Sequence, residues 1–304
     1  MSENIQNFSA AVIKRQRIIS VAAISIISFL GLEALVYVNN LYQPRIYIYL
    51  SIFVYLFLAV WLHFLFDLHF KETPDYAVSF LKAMKRRFAH FMSAAYFRHF
   101  QNYMVLPAIL YWASVIMIGI NFGHLPLQQF VAIVTALCLI ASYSLFKEIF
   151  HSKFAPVRDA HFHVLVYIKV YAAWLMYAAS LGVVWYYCFS PYVFYLSVFL
   201  TTFLLFYQAM FQTAQLSFDH ALSAVVFSLF LAGLAYFVYG LWNVNYFSAG
   251  IFLAAAYNFL WHMFFALNKK MLTRNFFMQQ ALIFAIIIVM VFSVTNFSAR
   301  IGGC

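Results

Sequence analysis

The sequence predicts an all-α fold: a polytopic transmembrane helical bundle of about nine spans, with one further amphipathic helix lying at the membrane interface. Three observations carry this. Hydrophobic residues make up 66% of the 304 and charged residues 9%, against roughly 45–50% and 25% in soluble domains. A soluble fold of this size has no way to hide so much apolar surface, so the solvent is lipid. The apolar residues fall in runs of ~20, the length a helix needs to cross ~30 Å of hydrocarbon. The basic residues, finally, fall almost wholly in alternate connections between those runs. The net charge of +10 is therefore an orientation signal rather than a nucleic-acid footprint. Residues 1–304 read as one integral membrane domain whose first partner is the lipid bilayer, and no nucleic acid is expected.

Each element follows from the residues. Residues 1–17 are polar with a basic end at Lys14, Arg15 and Arg17. No small-residue cleavage pattern follows, so the first apolar run reads as a retained span rather than a removed signal peptide. The expected spans are 18–38, 46–66, 103–122, 127–146, 164–189, 192–211, 221–242, 246–267 and 275–297. Residues 67–102 form the longest connection. Within it, Thr73, Pro74 and Asp75 suit a helix N-terminus. Apolar Phe80, Leu81, Met84, Phe88, Phe91 and Met92 then recur at helical spacing, with Lys82, Lys85, Arg86 and His90 on the other side. That is the pattern of a helix lying on an anionic leaflet. Three of the spans entering the basic connections end in an aromatic run with a histidine, WLHFLF, LFKEIFH and LWHMFF, a faint sign of internal duplication.

With the N-terminus in the cytoplasm, 15 of the 18 Lys and Arg lie in inside connections, Lys169 lies in a span, and only Arg45 and Arg300 lie outside. This bias sets the expected orientation and an odd number of spans. The expected location is the plasma (inner) membrane, N-terminus cytoplasmic and C-terminus external. The three cysteines, Cys138, Cys188 and Cys304, suggest neither a disulfide framework nor a CxxC metal pair.

Two ionisable residues fall within spans, and an intramembrane charge is a functional hypothesis by default. Lys169 lies five residues from the inner end of its expected span, ~8 Å deep, and Glu33 lies five residues from the outer end of the first span. They differ in depth by roughly 15 Å and are not expected to pair. The long stem of Lys169 favours snorkelling to the cytoplasmic headgroups. Glu33 reaches less far and is expected to face protein or a water-filled cavity.

A second signal is the gathering of His and acidic residues at the inner face: nine of the ten histidines, with Asp67, Glu148, Asp159 and Asp219. Asp159, His161 and His163 lie in the basic connection that leads into the fifth span, and Asp219 and His220 in the one before the seventh. Asp67, His69, His151, His161 and His163 are of the residue types that hold zinc or iron. The competing reading is a set of polar helix ends meeting headgroups. None of the spacings is HExxH, the HxxHH boxes of membrane desaturases are absent, and His161 and His163, two apart, point to different sides of a helix.

Asn258, Trp261 and His262 stand together in YNFLWHMFF. This cluster resembles, over those few residues, the Trp-His segment of membrane-bound O-acyltransferases, but the glycine-bearing pattern that follows in that family is missing and its function is not carried over. Arg158 to His163 has the R-x4-H spacing of some helical ribonucleases. There is no phosphate-binding loop, no GxGxxG and no GxSxG, and the sequence leaves any cofactor unknown. Without a catalytic motif, the sequence reads as a membrane protein acting without covalent chemistry. It would be a membrane subunit of a larger complex with protein partners, or a carrier for an apolar or lipid-like substrate. The alternative is a lipid-modifying enzyme working through the His/Asp face.

Overall fold

The computed structural model describes residues 2–41, 43–70, 94–151, 159–212, 218–242, 245–268 and 271–295. Among them are nine helices and no strand: α1 (Ser2–Asn40), α2 (Pro44–Phe70), α3 (Ala94–Ile120), α4 (Leu125–His151), α5 (Asp159–Tyr187), α6 (Pro191–Gln212), α7 (Phe218–Leu241), α8 (Tyr246–Asn268) and α9 (Arg274–Val294). Eight are long and apolar enough to cross a membrane. The exception is α3, whose apolar stretch is the shorter Met104–Ile120. Most of the expected interfacial helix lies outside the described residues. Its last part, from Ala94, is the beginning of α3 rather than a separate element.

Short connections at one end of the bundle, 41–43, 121–124, 188–190 and 242–245, alternate with the longer ones at 71–93, 152–158, 213–217 and 269–273. We call these the turn end and the loop end. The centre is α5, packed against α3, which runs parallel to it, and against the antiparallel α8, α6 and α4. On one side of the α3–α5 pair sit α1, α2 and α4; on the other sit α6, α7 and α8, with α9 outermost on α8. In the apolar span of α5, His163–Tyr187, 67% of residues are buried, against 6% in α9.

Small residues let the central helices meet. A Cβ placed on Gly250 of α8 would lie 2.8 Å from Ala178 Cβ, 3.0 Å from its amide nitrogen and 3.1 Å from its Cα. The two backbones are as close there as van der Waals contact allows. This is how helices associate in lipid, where a hydrophobic driving force between them is missing and close packing supplies the attraction. Tyr177, Ala178 and Ala179 on α5 and Ala249, Leu253 and Ala256 on α8 are all buried.

The turn end is held by side-chain hydrogen bonds. Asn39 Nδ2 donates to the Ile118 carbonyl at 2.9 Å, and Asn40 Nδ2 donates to Gln128 Oε1 at 2.7 Å. Gln128 Nε2 donates to the Asn121 carbonyl at 2.9 Å, and Tyr246 OH donates to Asn121 Oδ1 at 2.6 Å. Tyr47 OH donates to the Val115 carbonyl. These bonds join α1, α2, α3, α4 and α8, and they satisfy carbonyls that helix ends leave open.

One expectation is corrected here. Cys188 is disulfide-bonded, where the cysteine spacing suggested no disulfide. Spacing along the chain does not show which cysteines a fold brings together. Cys138, half-buried in α4, is free.

Candidate binding site in the helix interior

Lys169 is the decisive residue. It is 2% exposed, one of the largest fully buried side chains of the protein. It stands six steps along the helix from His163, where the apolar span of α5 begins, so it lies ~9 Å into that span. The snorkelling expected of it does not occur. Its position on α5 faces the neighbouring helices instead of the lipid, and the side chain runs inside the bundle. Its Nζ lies over the ring of Trp261 of α8, 5.8 Å from the centroid, within the range where an aromatic face attracts a cation.

Aromatic rings surround that pair. Phe206 of α6 stands 5.6 Å from Trp261, 5.4 Å from Tyr257 and 5.6 Å from Phe264, each edge to face. Phe227 of α7 closes on Phe206 at 5.6 Å, and the ring of His220 meets Phe264 at 6.1 Å. Rings in edge-to-face contact pack stably and present negative faces to a cation. Gln208 of α6 is also buried, at 1%.

A polar layer lies further along α5 towards the turn end. Tyr177 OH and Thr202 Oγ1 of α6 are 2.7 Å apart, and Thr202 also donates to the Val198 carbonyl at 2.6 Å. Tyr257 of α8 is also buried, at 1%. Its hydroxyl is buried and has no hydrogen-bond partner among the described residues. On the opposite face of α5, Tyr171 OH stands 3.2 Å from Thr135 Oγ1, which in turn is 2.7 Å from Ser114 Oγ. Trp174 Nε1 donates to the Phe247 carbonyl at 3.3 Å.

The other expected residues are placed as follows. Glu33, half-buried on α1, accepts a hydrogen bond from Gln129 Nε2 of α4 at 3.0 Å, so it faces protein. It and Lys169 lie in different halves of the bundle. His163 is exposed, at the start of the apolar span of α5. Asn258 and His262 are half-buried, on either side of the buried Trp261. The side chains of Asp67, His69, His151, Asp159, His161 and Asp219 lie outside the described part, so the His/Asp face is seen only through His163, His220 and His262. Among the described residues no group of three or more His, Cys, Asp or Glu stands together to hold a metal ion.

Sequence reasoning missed Tyr177, Thr202, Tyr257, Phe206 and Gln208. A tyrosine or glutamine in an aromatic-rich span carries no distinguishing signal until its neighbours are known. Lys169 stands out in α5 by residue type; Tyr171, Trp174, Tyr177 and Ser180 beside it do not, since the α6 span holds as many hydrogen-bonding side chains. No protein-family model, characterised protein or solved structure matches the chain.

Proposed function

We propose that this integral membrane protein binds a lipid-like molecule with an acidic head in the α5–α6–α8 interior and acts as its carrier, without covalent chemistry. The observation that carries the reading is the burial of Lys169 among aromatic rings, within an apolar span. A charge in such a place is costly and marks ligand pathways more often than structure. An ammonium beside a π face is a ready counter-charge for a carboxylate or phosphate, and the aromatic walls suit an acyl or isoprenoid chain. The Tyr257 hydroxyl supports the same reading, because a buried donor with no described partner calls for an explanation and a ligand supplies one. The loop end, where the basic connections gather, faces the cytoplasm in this reading, and the membrane is the plasma (inner) membrane.

The test is a titration of the purified protein with a long-chain fatty acid and with the alcohol of the same chain, read by tryptophan fluorescence. The acid is expected to bind at least ~10-fold more tightly, since a hydrogen bond to a charged group contributes about 1.5–3 kcal/mol. Lys169→Met removes the difference and Lys169→Arg keeps part of it. Equal binding of acid and alcohol by the unmodified protein contradicts the proposal. A second reading, the membrane subunit of a larger complex, draws support from α9, which offers an almost wholly exposed apolar helix to a partner.

A further inference from the structure

Helices α4 and α8 both pack on α5 but not on each other, which leaves a groove with α5 as its floor. Tyr167, Tyr171 and Trp174 share one face of α5, at i, i+4 and i+7. Tyr171 OH reaches Thr135 Oγ1 of α4 at 3.2 Å, and Trp174 Nε1 reaches the Phe247 carbonyl of α8 at 3.3 Å, so this face looks out between those two helices. Tyr167 is 73% exposed, and the groove opens there to lipid. On α8, Gly250 meets α5 and Phe259 meets α9. Asn258 points between those two directions, on the same face as Ile251 and His262, and Ile251 is 40% exposed. We propose that this groove binds the head of a zwitterionic membrane phospholipid, drawn in sideways from the leaflet at the loop end.

The antiparallel register sets the polar groups level with one another. Gly250 packs on Ala178. Eight residues on along α8 stands Asn258, and eight back along α5 stands Val170, beside Tyr171. Asn258 and Tyr171 thus flank the groove at one depth, about 13 Å in from Leu267, where the apolar span of α8 ends. One turn nearer the loop end, His262 and Tyr167 flank it in the same way. Polar groups therefore step from the loop end to the middle of the membrane. The groove stops where the backbones of Gly250 and Ala178 meet.

Hydrogen-bond direction shows what the groove offers. Ser114 Oγ gives its proton to the Leu110 carbonyl at 2.7 Å, so it accepts from Thr135 at their 2.7 Å contact, and Thr135 accepts from Tyr171. The Tyr171 oxygen keeps its lone pairs for an incoming donor. Across the groove, the half-buried Asn258 carboxamide makes no hydrogen bond among the described residues, and it brings two N–H donors and a carbonyl. Hydrocarbon satisfies none of these groups, and leaving them bare is costly. A zwitterionic head satisfies them all. Its ammonium donates to the two oxygens, its phosphate accepts from the amide, and its chains stay in the surrounding lipid. The described lining holds no Lys, Arg, Asp or Glu, which suits a head without net charge. Lys169 precedes Tyr171 by two residues and so lies on the other side of α5. The groove is thus separate from the interior site proposed above and does not rest on it.

The experiment is a titration of the delipidated full-length protein in a nonionic detergent, read by native mass spectrometry. The probes are phosphatidylethanolamine and diacylglycerol with the same chains. Phosphatidylethanolamine is expected to bind about 10-fold more tightly, the contribution of one or two hydrogen bonds. Asn258→Leu brings its binding down to that of diacylglycerol and leaves the melting temperature unchanged or raised, because a bare amide is removed. Lys169→Met leaves phosphatidylethanolamine binding as it was. Equal binding of the two lipids by the unmodified protein, or undiminished phosphatidylethanolamine binding by Asn258→Leu, overturns the proposal. So does a lower melting temperature of Asn258→Leu, which places the carboxamide in a bond within the bundle. Loss of phosphatidylethanolamine binding in Lys169→Met overturns it too, since the head then sits at the interior site.

Discussion

Helices α5 and α9 have the same secondary structure, comparable length and the same need to cross a bilayer, yet they solve opposite problems. α9 is the more apolar of the two and the least buried of the spans; α5 is less apolar and the most buried. In water the order would be reversed. In lipid, apolar side chains satisfy themselves against acyl chains, and polar atoms must find protein. From Ala281 to Val294, α9 has one polar side chain, Ser293, which donates to its own helix at the Val289 carbonyl. α5 bonds α4, α6 and α8 through Tyr171, Tyr177 and Trp174. Polarity inside a span is thus the mark of the packed face, and bare hydrophobicity the mark of the lipid face.

The sharpest way to break the comparison is to wedge α5 away from α8. Gly250→Leu places a branched side chain where the Ala178 backbone stands about 3 Å away. We expect a loss of about 3 kcal/mol or more, read as a large fall in the melting temperature in detergent or as failure to accumulate, because overpacking against backbone has no cheap relief. A variant that melts like the unmodified protein would mean that α5 and α8 are not in this contact.

Lys169→Met comes next and separates function from stability. An apolar side chain of similar length in place of a buried charge is neutral or stabilising. The melting temperature is therefore expected to hold or rise while acid binding falls at least ~10-fold. Loss of folding instead would make Lys169 a structural residue. Smaller still is Tyr177→Phe, which removes the bond to Thr202 and is expected to cost about 0.6 kcal/mol, as interhelical hydrogen bonds in membranes do on average; calorimetry or a detergent unfolding series measures it. On α9, Ile286→Ala at a lipid-facing position is expected to change stability by no more than about 0.5 kcal/mol in the same assay. A cost several times larger would show that a partner rather than lipid covers that face.

Much of this was legible in the sequence because lipid imposes length. Apolar runs of ~20 residues and charged connections predicted the helices, and Pro44, Leu125 and Pro191 begin helices where turns were expected. What stayed hidden is the direction each side chain faces. Lys169 read as a snorkelling residue because depth along a helix is visible in a sequence and azimuth is not. Glu33 was expected to face protein, and the bond from Gln129 shows its neighbour, which lies 96 residues away. The disulfide of Cys188 was hidden as well, since spacing along the chain does not show which cysteines meet. The aromatic ring cluster around Trp261 joins α6, α7 and α8, and no local motif encodes such a meeting.

The central claim is that the buried ammonium of Lys169 holds an acidic lipid-like ligand. Native mass spectrometry of the full-length protein, purified in mild detergent from cells, tests it most directly when the unmodified chain and Lys169→Met are compared side by side. The account predicts an acidic lipid-like adduct on the unmodified protein that is absent from the variant, with neutral lipid adducts equal in both. The same acidic adduct retained by both proteins, or none on either, would contradict it.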